Sequence, residues 1–329
     1  MTALLEVRDL RTCFTTDEGE FAAVDGVSFE VHAGKTLAIV GESGCGKSVT
    51  SLSVMGLVPP AAGSIRASSI RFEGQELVGA PQDSLQNLRG NGMAMVFQEP
   101  MTSLNPAYTV GEQIMEALLR HRPMDRAQAR ARALDMLAQV RIPAPEQRLH
   151  EYPHQLSGGM RQRVMIAMAL ICEPKLLIAD EPTTALDVTV QAQITDLLRD
   201  LSERAGTALM FITHDLGVVA EVCTRMVTMY AGEVVEDAPV DEVLMHPRHP
   251  YTSGLLRSLP RLTPHRGVLP SIRGRVPSPS EMPPGCRFRA RCDHALAGCA
   301  GEQVAAEVSP GHSARCMRAA ELQLPGVVA

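Results

Sequence analysis

The sequence predicts an α/β protein with a largely parallel sheet, and three observations support this prediction. A glycine-rich loop separates a short apolar run, residues 36–40, from a helical pattern at 49–57. Farther along, short apolar runs alternate with helical patterns between residues 175 and 223. This alternation is typical of parallel strands joined by helices. Prolines and cysteines then accumulate beyond residue 240, so we expect a smaller C-terminal extension there.

The composition is that of a globular protein large enough for more than one domain. The chain has 329 residues, of which 45% are hydrophobic and 21% charged, and its net charge is −6. The acidic balance and the scarcity of aromatic residues argue against nucleic acid as a partner. No apolar run is long enough for a membrane span, and the early charges Glu6 and Arg8 leave no room for a signal peptide. We expect a cytosolic chain whose eight cysteines are thiols or metal ligands rather than disulfides.

Besides the apolar run 36–40, the first hundred residues are predicted to contain two pairs of strands. Residues 4–10 and 27–31 alternate apolar and polar side chains, which favours an N-terminal antiparallel sheet. After the glycine loop and its helix, a second pair of strands is expected near 65–72 and 94–98.

The middle of the chain is predicted to be helical, with a subdomain over residues 99–172. Residues 110–120 and 126–140 repeat apolar residues every three or four positions, with arginines on the other face. Further elements are expected at 175–179 and 208–213 (strands), 188–204 and 216–223 (helices) and 226–236 (a hairpin). We therefore predict a main domain over residues 1–240, which includes the helical subdomain, and an extension over 241–329.

The glycine loop matches the pattern G-x-x-x-x-G-K-[ST] in its required context of strand, loop and helix. Its residues are Gly41, Glu42, Ser43, Gly44, Cys45, Gly46, Lys47 and Ser48. Glycines let successive N–H groups point at a polyphosphate, next to the positive N-terminus of the following helix. Lys47 can bridge the β- and γ-phosphates, and the Ser48 hydroxyl suits Mg²⁺. The sequence thus predicts a binding site for ATP or GTP.

A second stretch ends a buried apolar strand with two carboxylates. Asp180 and Glu181 follow the apolar run 176–179, at the end of the strand where α/β sheets place their ligands. Asp180 suits the ligand shell of Mg²⁺, and Glu181 can polarise the water that attacks the γ-phosphate. The pair therefore predicts hydrolysis.

A third stretch offers a second surface for anions. Ser157, Gly158 and Gly159 precede an apolar helix, so a hydroxyl and unobstructed N–H groups lie at its start. Because one nucleotide does not need two such surfaces, we expect this one to serve a nucleotide that another subunit holds.

These motifs, in this order, resemble the ATP-binding subunits of ABC transporters over about residues 4–240. The resemblance identifies residues 41–48 as the Walker A loop, 176–181 as the Walker B strand and 157–159 as the signature sequence, which contacts the partner's ATP in a dimer. It implies a P-loop NTPase with a RecA-like core, an antiparallel β subdomain and a helical subdomain. It also implies ATP hydrolysis with Mg²⁺.

The resemblance assigns roles to residues outside those motifs. Gln98 corresponds to the Q-loop, where it would contact Mg²⁺ and the attacking water, so the expected ligand set for Mg²⁺ is Ser48, Gln98 and Asp180. His214 corresponds to the switch histidine that contacts the γ-phosphate. The catalytic residues implied are therefore Glu181, His214 and Gln98.

Two further assignments concern the D-loop and the adenine. Residues 185–187 correspond to the D-loop, with Asp187 as its functional residue. Phe14 takes the place of the aromatic residue that stacks on adenine, and Phe21 is the alternative.

Three more stretches, residues 97–106, 151–155 and 249–252, resemble the ATPases of oligopeptide and dipeptide importers, which also serve nickel. This branch implies a second ATPase subunit, related rather than identical, two membrane permeases and an external peptide-binding protein. It places the chain peripherally on the cytoplasmic face of the membrane and predicts no nucleic acid as partner. The same engine importing nickel or another small solute is one alternative. A soluble ABC ATPase acting on nucleic acid or ribosomes is the other, but the single cassette disfavours it.

Four cysteines in the extension are predicted to form a ligand set. They are Cys286, Cys292, Cys299 and Cys316, and their spacing lacks the close C-x2-C pairs of zinc ribbons. Four thiolates also suit a [4Fe–4S] cluster, and similar subunits of this branch carry one at such cysteines. We expect the cluster first and Zn²⁺ second, and unliganded thiols stay a third possibility.

Cys45 lies inside the phosphate loop itself. A thiol among inward-pointing N–H groups is expected to be acidic and reactive. Maleimide should then inactivate the enzyme, and ATP should protect it.

Overall fold

The computed structural model describes residues 2–16, 19–184, 186–258, 271–278 and 281–327. Contacts divide the chain into two compact units. The first comprises Met1–Val31, Thr36–Gly79 and Thr213–Ala329, and the second comprises His32–Lys35 and Ala80–Ile212. This division follows contacts rather than chain order, so the domain boundary predicted near residue 240 stays a prediction.

Strands and helices alternate through most of the described chain. The strands are β1 (Ala3–Thr16), β2 (Gly19–His32), β3 (Thr36–Val40), β4 (Gly63–Arg66), β5 (Ser69–Phe72), β6 (Gln75–Glu76), β7 (Met93–Val96), β8 (Leu176–Asp180), β9 (Ala208–Ile212), β10 (Arg225–Tyr230), β11 (Glu233–Pro239), β12 (Ala306–Ser309) and β13 (His312–Ala314). The helices are α1 (Lys47–Val54), α2 (Gln82–Leu88), α3 (Pro100–Ser103), α4 (Val110–His121), α5 (Arg126–Gln139), α6 (Pro145–Arg148), α7 (Gly158–Leu170), α8 (Val188–Ala205), α9 (Leu216–Val222), α10 (Val240–Met245) and α11 (Pro250–Arg257). In this described part, no helix is both long and apolar enough to cross a membrane.

The first unit contains an antiparallel sheet built on β1, as the alternating N-terminal pattern predicts. The strand order is β2–β1–β5–β6, and β4 also pairs with β1. The strand predicted over residues 65–72 is in fact two strands, separated near residue 67. Both pair antiparallel with β1, with Arg66 opposite Arg11 and Phe72 opposite Leu5. Both therefore belong to the antiparallel sheet built on β1, whereas β7, the strand near 94–98, lies in the second unit.

The first unit also contains the strand that leads into the glycine loop. β3 pairs parallel with β10, and β10 pairs antiparallel with β11 in the predicted hairpin. β13 and β12 continue this sheet beyond β11. The extension beyond residue 240 therefore adds strands to the sheet that begins at β3.

The second unit contains a parallel sheet of three strands in the order β7–β8–β9. Met93 lies opposite Leu176, and Leu176 lies opposite Ala208. Every residue of the three strands is buried. Such uninterrupted apolar runs are expected where helices cover both faces of a parallel sheet. Because the strands are parallel, the residues that follow β7 and β8 lie at the same edge.

Two helices of the second unit have the boundaries that their periodicity predicts. α4 begins with a capping box between Thr109 and Glu112, and α5 begins with one between Asp125 and Gln128. Each box satisfies N–H groups that the first turn of a helix leaves without partners. One face of α4 is buried, as its apolar spacing requires.

The extension and the β10–β11 hairpin share a small core that contains three aromatic rings. Its buried members are Tyr230, Ala231, Val235, Tyr251 and Phe288. The rings of Tyr230 and Tyr251 lie 4.7 Å apart, and that of Phe288 lies 5.2 and 5.3 Å from them. Tyr230 and Val235 come from the β10–β11 hairpin, so the extension packs on the same hairpin that pairs with β3.

Candidate functional site

The glycine loop follows β3 and leads into α1, in the first unit. Gly41, Gly44 and Gly46 have positive φ angles of 151°, 78° and 101°. A Cβ atom on Gly41 would lie 2.2 Å from the carbonyl oxygen of Met229, and one on Gly46 would lie 2.6 Å from that of Ala23. Both the backbone conformation and the close packing therefore require glycine at these two positions.

Lys47 lies within this loop as a buried cation. Its side chain is 5% exposed, and its Nζ donates to the carbonyl oxygens of Gly41 (2.9 Å) and Glu42 (3.1 Å). Among the described residues, no side chain caps the first turn of α1. A buried ammonium group beside a helix N-terminus creates a positive site for an anion. A polyphosphate can take the place of the two carbonyl oxygens as the partner of Lys47.

Cys45 does not have the character that the sequence predicts. The residue is fully buried, and burial is the largest effect on its thiol, whose pKa it raises. The opposing influence of Lys47, with Nζ 3.9 Å from the sulfur, is smaller. The prediction of an acidic, reactive Cys45 is wrong, because desolvation of the thiolate outweighs the nearby positive groups.

Two residues of the C-terminal extension also form hydrogen bonds with the glycine loop. The N–H of Glu42 donates to the hydroxyl of Tyr251 at 2.8 Å, and the Glu42 carboxylate accepts from both terminal nitrogens of Arg291 at 2.6 and 2.9 Å. Sequence reasoning missed both contacts. In the sequence, Tyr251 lies in the stretch 249–252 that resembles peptide importers, and the one signal at Arg291 is its position next to Cys292.

The second unit brings together Gln98 and Glu181. Gln98 follows β7 and Glu181 follows β8, and the Gln98 Nε2 donates to Glu181 Oε2 at 3.0 Å. The Thr184 hydroxyl donates to the same oxygen at 2.9 Å. Glu181 has a positive φ of 43°, and its N–H donates to the carbonyl of Ile212 at 2.9 Å. Two of the three predicted catalytic side chains are therefore in direct contact, and Asp180 is buried at the end of β8.

His214 lies in the first unit, on the segment that leads into α9. The preceding residue, Thr213, donates its N–H to the carbonyl of Ile39 at 3.3 Å. Asp215 caps α9, because its carboxylate accepts from the N–H of Gly217 at 2.9 Å. His214 is exposed and follows a residue that is bonded to β3. It therefore lies at the same edge of β3 from which the glycine loop departs.

The predicted signature residues form the start of α7, in the second unit. Ser157 is the N-cap, and its hydroxyl accepts from the N–H of Met160 at 3.3 Å. Ser157 and Gly158 are exposed. A Cβ on Gly159 would lie 3.1 Å from the side chain of Val190. The helix start predicted from the glycines is confirmed.

The predicted D-loop residue Asp187 caps α8. Its carboxylate accepts from the N–H of Val190 at 3.0 Å, and the residue is exposed. Ala185, the first residue of the predicted D-loop, lies outside the described residues.

The two candidates for adenine stacking are neighbours. The rings of Phe14 and Phe21 lie 6.0 Å apart with an angle of 33° between their planes, and both residues are half-buried. This arrangement does not favour one over the other.

The four cysteines of the extension line one small pocket. Burial, with a smaller contribution from the other three cysteines, raises the pKa of Cys286 to about 11. Burial raises the pKa of Cys292 and Cys316 as well. Within the described parts of the chain, no group of three or more His, Cys, Asp or Glu is placed to hold a metal ion. The predicted ligand set therefore shares one pocket, but a metal centre is not shown.

Comparison with known proteins decides the family. Residues 24–184 match the model of the ABC transporter family, and residues 235–299 match that of the oligopeptide/dipeptide transporter C-terminal region. The oligopeptide transport ATP-binding protein AppD of Bacillus subtilis is 52% identical over 91% of each chain. The chain belongs to the ABC transporter family, as an ATP-binding subunit. The dipeptide transport ATP-binding protein DppD of the same organism is 50% identical over 91% of this ABC subunit and 89% of its own length.

Solved structures agree with this family fold. The ATP-binding cassette MJ0796, solved as a dimer in a post-hydrolysis state with ADP and Pi, is 28% identical and has a TM-score of 0.64. It covers 72% of this chain, and 98% of its own length is matched. The predicted ABC cassette fold is confirmed. As an ABC ATPase the chain hydrolyses ATP, and it uses ATP and Mg²⁺.

Proposed function

We propose that this ATPase powers the import of dipeptides or oligopeptides. The observation that supports this most directly is the match to an oligopeptide transport ATP-binding protein at 52% identity over 91% of both chains. The match to the oligopeptide/dipeptide extension over residues 235–299 supports the same branch. Import of nickel or another small solute by the same engine is the alternative outcome.

We further propose how the subunit is assembled. Two permeases span the membrane, a peptide-binding protein delivers the solute from outside, and this chain binds the permeases at the cytoplasmic face. Its ATPase partner is a related chain rather than a second copy. This assembly follows from the importer branch, and purification of the intact complex with identification of its other chains tests it.

The glycine loop is proposed to bind the phosphates of ATP. Lys47 would exchange the carbonyl oxygens of Gly41 and Glu42 for oxygens of the β- and γ-phosphates. The N–H groups at the start of α1 face the same charge. Phe14 or Phe21 would stack on the adenine.

The hydrolytic step is proposed to depend on Glu181. Its carboxylate accepts hydrogen bonds from Gln98 and Thr184, which fix its position for orienting and polarising the attacking water. His214 would donate to the γ-phosphate as charge develops on it. Ser48, Asp180 and Gln98 would hold Mg²⁺, which neutralises negative charge on the phosphates when it is bound.

The signature residues are proposed to act on a partner's nucleotide. Ser157 offers an exposed hydroxyl at the N-terminus of α7, a helix of 13 residues whose partial positive charge attracts phosphate. Asp187, the predicted D-loop residue, would couple the nucleotide site of one subunit to that of the other.

The Glu181→Gln variant tests this function. The amide keeps the size of the side chain and an acceptor for Gln98, but it is a far weaker base than the carboxylate. In the purified transporter we expect unchanged ATP binding, a closed dimer that does not reopen, and loss of ATP hydrolysis by at least about a hundredfold. Uptake of a labelled dipeptide into vesicles that contain ATP should stop.

Glu146→Gln is the matched control, because Glu146 is an exposed carboxylate of the same unit that pairs with Arg130. It should hydrolyse ATP and import peptide as the parent does. Parental hydrolysis by Glu181→Gln would show that Glu181 is not the catalytic base. Uptake of nickel instead of peptide by the parent would favour the alternative solute.

We also propose that the four-cysteine pocket holds a [4Fe–4S] cluster. In such a cluster the four thiolates bind four different irons, so they need not lie as close together as the ligands of a single ion. The four cysteines share one pocket, but among the described residues no three of them lie close enough together to hold a single ion. This arrangement is therefore more compatible with a cluster than with Zn²⁺. The residues that would hold it are Cys286, Cys292, Cys299 and Cys316. A bound cluster would crosslink segments of the extension that have few buried side chains of their own.

Anaerobic purification tests the cluster. We expect brown protein that contains iron and acid-labile sulfide in equal amounts, and Cys316→Ser should lose most of both. Cys223→Ala is the control, since Cys223 is a buried cysteine outside the pocket. Stoichiometric zinc would favour the alternative metal, and colourless protein without metal would contradict the proposal.

A further inference from the structure

We propose that Arg291 and Tyr251, two residues of the C-terminal extension, are positioning residues for the phosphate-binding loop. They hold the peptide unit between Gly41 and Glu42 in the conformation that receives ATP. The proposal rests on the proposed function of residues 41–48. It goes beyond that function, because it gives the extension a direct role in nucleotide binding.

The first contact is an ion pair with the second residue of the loop. Both terminal nitrogens of Arg291 donate to the two carboxylate oxygens of Glu42, at 2.6 and 2.9 Å. Paired donors on a planar guanidinium fix the orientation of a carboxylate as well as its distance. The Arg291 side chain is 5% exposed and that of Glu42 is 30% exposed, so the guanidinium is shielded from water while the carboxylate stays partly accessible.

The core that the extension shares with the β10–β11 hairpin fixes Arg291 in turn. Its guanidinium lies 5.7 Å from the ring centre of Tyr230 and 5.8 Å from that of Phe288, within the range of cation–π attraction. Its Nε donates to the carbonyl of Arg273 at 2.8 Å. Arg291 is therefore held in place before it meets the loop, and Glu42 balances its buried charge.

The second contact acts on the loop backbone. The hydroxyl of Tyr251 accepts from the N–H of Glu42 at 2.8 Å. The Tyr251 side chain is fully buried against Tyr230 and Phe288, so this acceptor has a fixed position.

The two ends of one peptide unit are thus held by different partners. Its N–H, from Glu42, donates to Tyr251, and its carbonyl oxygen, from Gly41, accepts from Lys47 Nζ at 2.9 Å. Rotation of this peptide would break both bonds at once. Tyr251 therefore influences where Lys47 lies, although it does not touch the lysine itself.

A positioning role has a kinetic signature that a purely structural role lacks. A variant that only destabilises the fold reduces the amount of active protein, which lowers apparent kcat and leaves KM unchanged. A variant that releases the loop adds the cost of ordering it to ATP binding, which raises KM and Kd. The two roles can therefore be separated in one titration.

The test uses Arg291→Gln and Tyr251→Phe in the purified transporter. Loss of the paired, charged hydrogen bonds should raise Kd and KM for MgATP about tenfold in Arg291→Gln. Loss of one neutral acceptor should raise them about threefold in Tyr251→Phe, which keeps the ring packing. In both variants kcat at saturating ATP should stay within about twofold of the parent.

Arg257→Gln is the matched control, because Arg257 is an exposed arginine of the same extension, at the end of α11, and lies outside the contacts that hold Glu42. It should leave Kd and KM unchanged. A cycle with Glu42→Gln adds a second check. If Arg291 acts through Glu42, the double variant should bind ATP no more weakly than the weaker single variant.

The outcomes separate this proposal from the function on which it rests. If the parent transporter fails to bind ATP, the proposed function of the loop fails. If the parent binds ATP and both variants bind it equally well, the positioning role is wrong while the function stands. A lower kcat at unchanged KM would reduce Arg291 and Tyr251 to a structural role and would also overturn the proposal.

Discussion

Two residues of the glycine loop show how burial affects the charge state of a side chain. Lys47 and Cys45 are both buried in the same short segment. The lysine has carbonyl acceptors at 2.9 and 3.1 Å, which compensate its charge until a phosphate replaces them. The thiolate of Cys45 would have no comparable compensation, so the neutral thiol is favoured. The motif misled about Cys45, because a pattern of residue types carries no information about desolvation.

The raised pKa of Cys45 leads to a labelling prediction. At pH 7 the thiol is protonated and buried, so maleimide should label Cys45 slowly in the native protein, with or without ATP. Unfolding returns its pKa toward the ordinary value of 9.0 and exposes it, and labelling should then be fast. Mass spectrometry of peptides measures both rates at this residue.

The same shift has a consequence for stability. Because the folded-state pKa lies above the unfolded value, the contribution of Cys45 is fully present below pH 9.0 and is lost as the pH rises beyond it. Cys45→Ala removes the titrating group and serves as the control for this alkaline loss. Rapid modification of Cys45 in the folded protein at pH 7 would show that the thiol is accessible and ionised after all.

At the scale of elements, local signals located most helices and strands. α4, α5 and α8 begin where a capping residue precedes an apolar period, and these signals are visible in the sequence. The buried strands β8 and β9 are bounded by polar residues and were predicted to within one residue of their ends. Contacts between neighbours in the chain are enough to specify such elements.

Strand pairing was less predictable than strand position. The run 65–72 has the composition of one strand, but the chain breaks near residue 67, and β4 and β5 both pair with β1. Partners that lie some 50 to 70 residues away in the sequence leave no periodic signal. The contact of Gln98 with Glu181 could not be predicted from periodicity, since it depends on β7 lying next to β8.

For the molecule as a whole, the family motifs named candidate site residues in both units but gave no sign of the contacts between the glycine loop and the extension. The first unit carries the glycine loop, His214 and the contacts of Arg291 and Tyr251 with Glu42. The second unit carries Gln98 bonded to Glu181. Arg291 was not predictable, because an arginine beside a cysteine has no distinctive pattern and its partner lies 249 residues away.

The proposed dimer gives the last prediction, which concerns Ser157. If its hydroxyl serves the nucleotide of the partner subunit, Ser157→Arg should leave ATP binding by the separated chain within twofold of the parent. The same change should abolish most ATP hydrolysis in the assembled transporter, because the bulky cation would block closure of the two cassettes. Titration of the separated chain with a fluorescent ATP analogue and ATPase assays of the complex measure the two effects.

Two control variants exclude simpler explanations of that result. Ser157→Thr keeps a hydroxyl that can cap α7, so it should retain both the fold and much of the activity. Gln139→Arg places the same cation on an exposed position of α5, where Asp135 already accepts a hydrogen bond at 2.8 Å, and it should be harmless. If Ser157→Arg instead weakened ATP binding by the separated chain, the serine would act within its own subunit. The chain has two helix starts suited to anions, at α1 and at α7. In that case, a dimer in which each cassette completes the other's site would no longer explain why both are present.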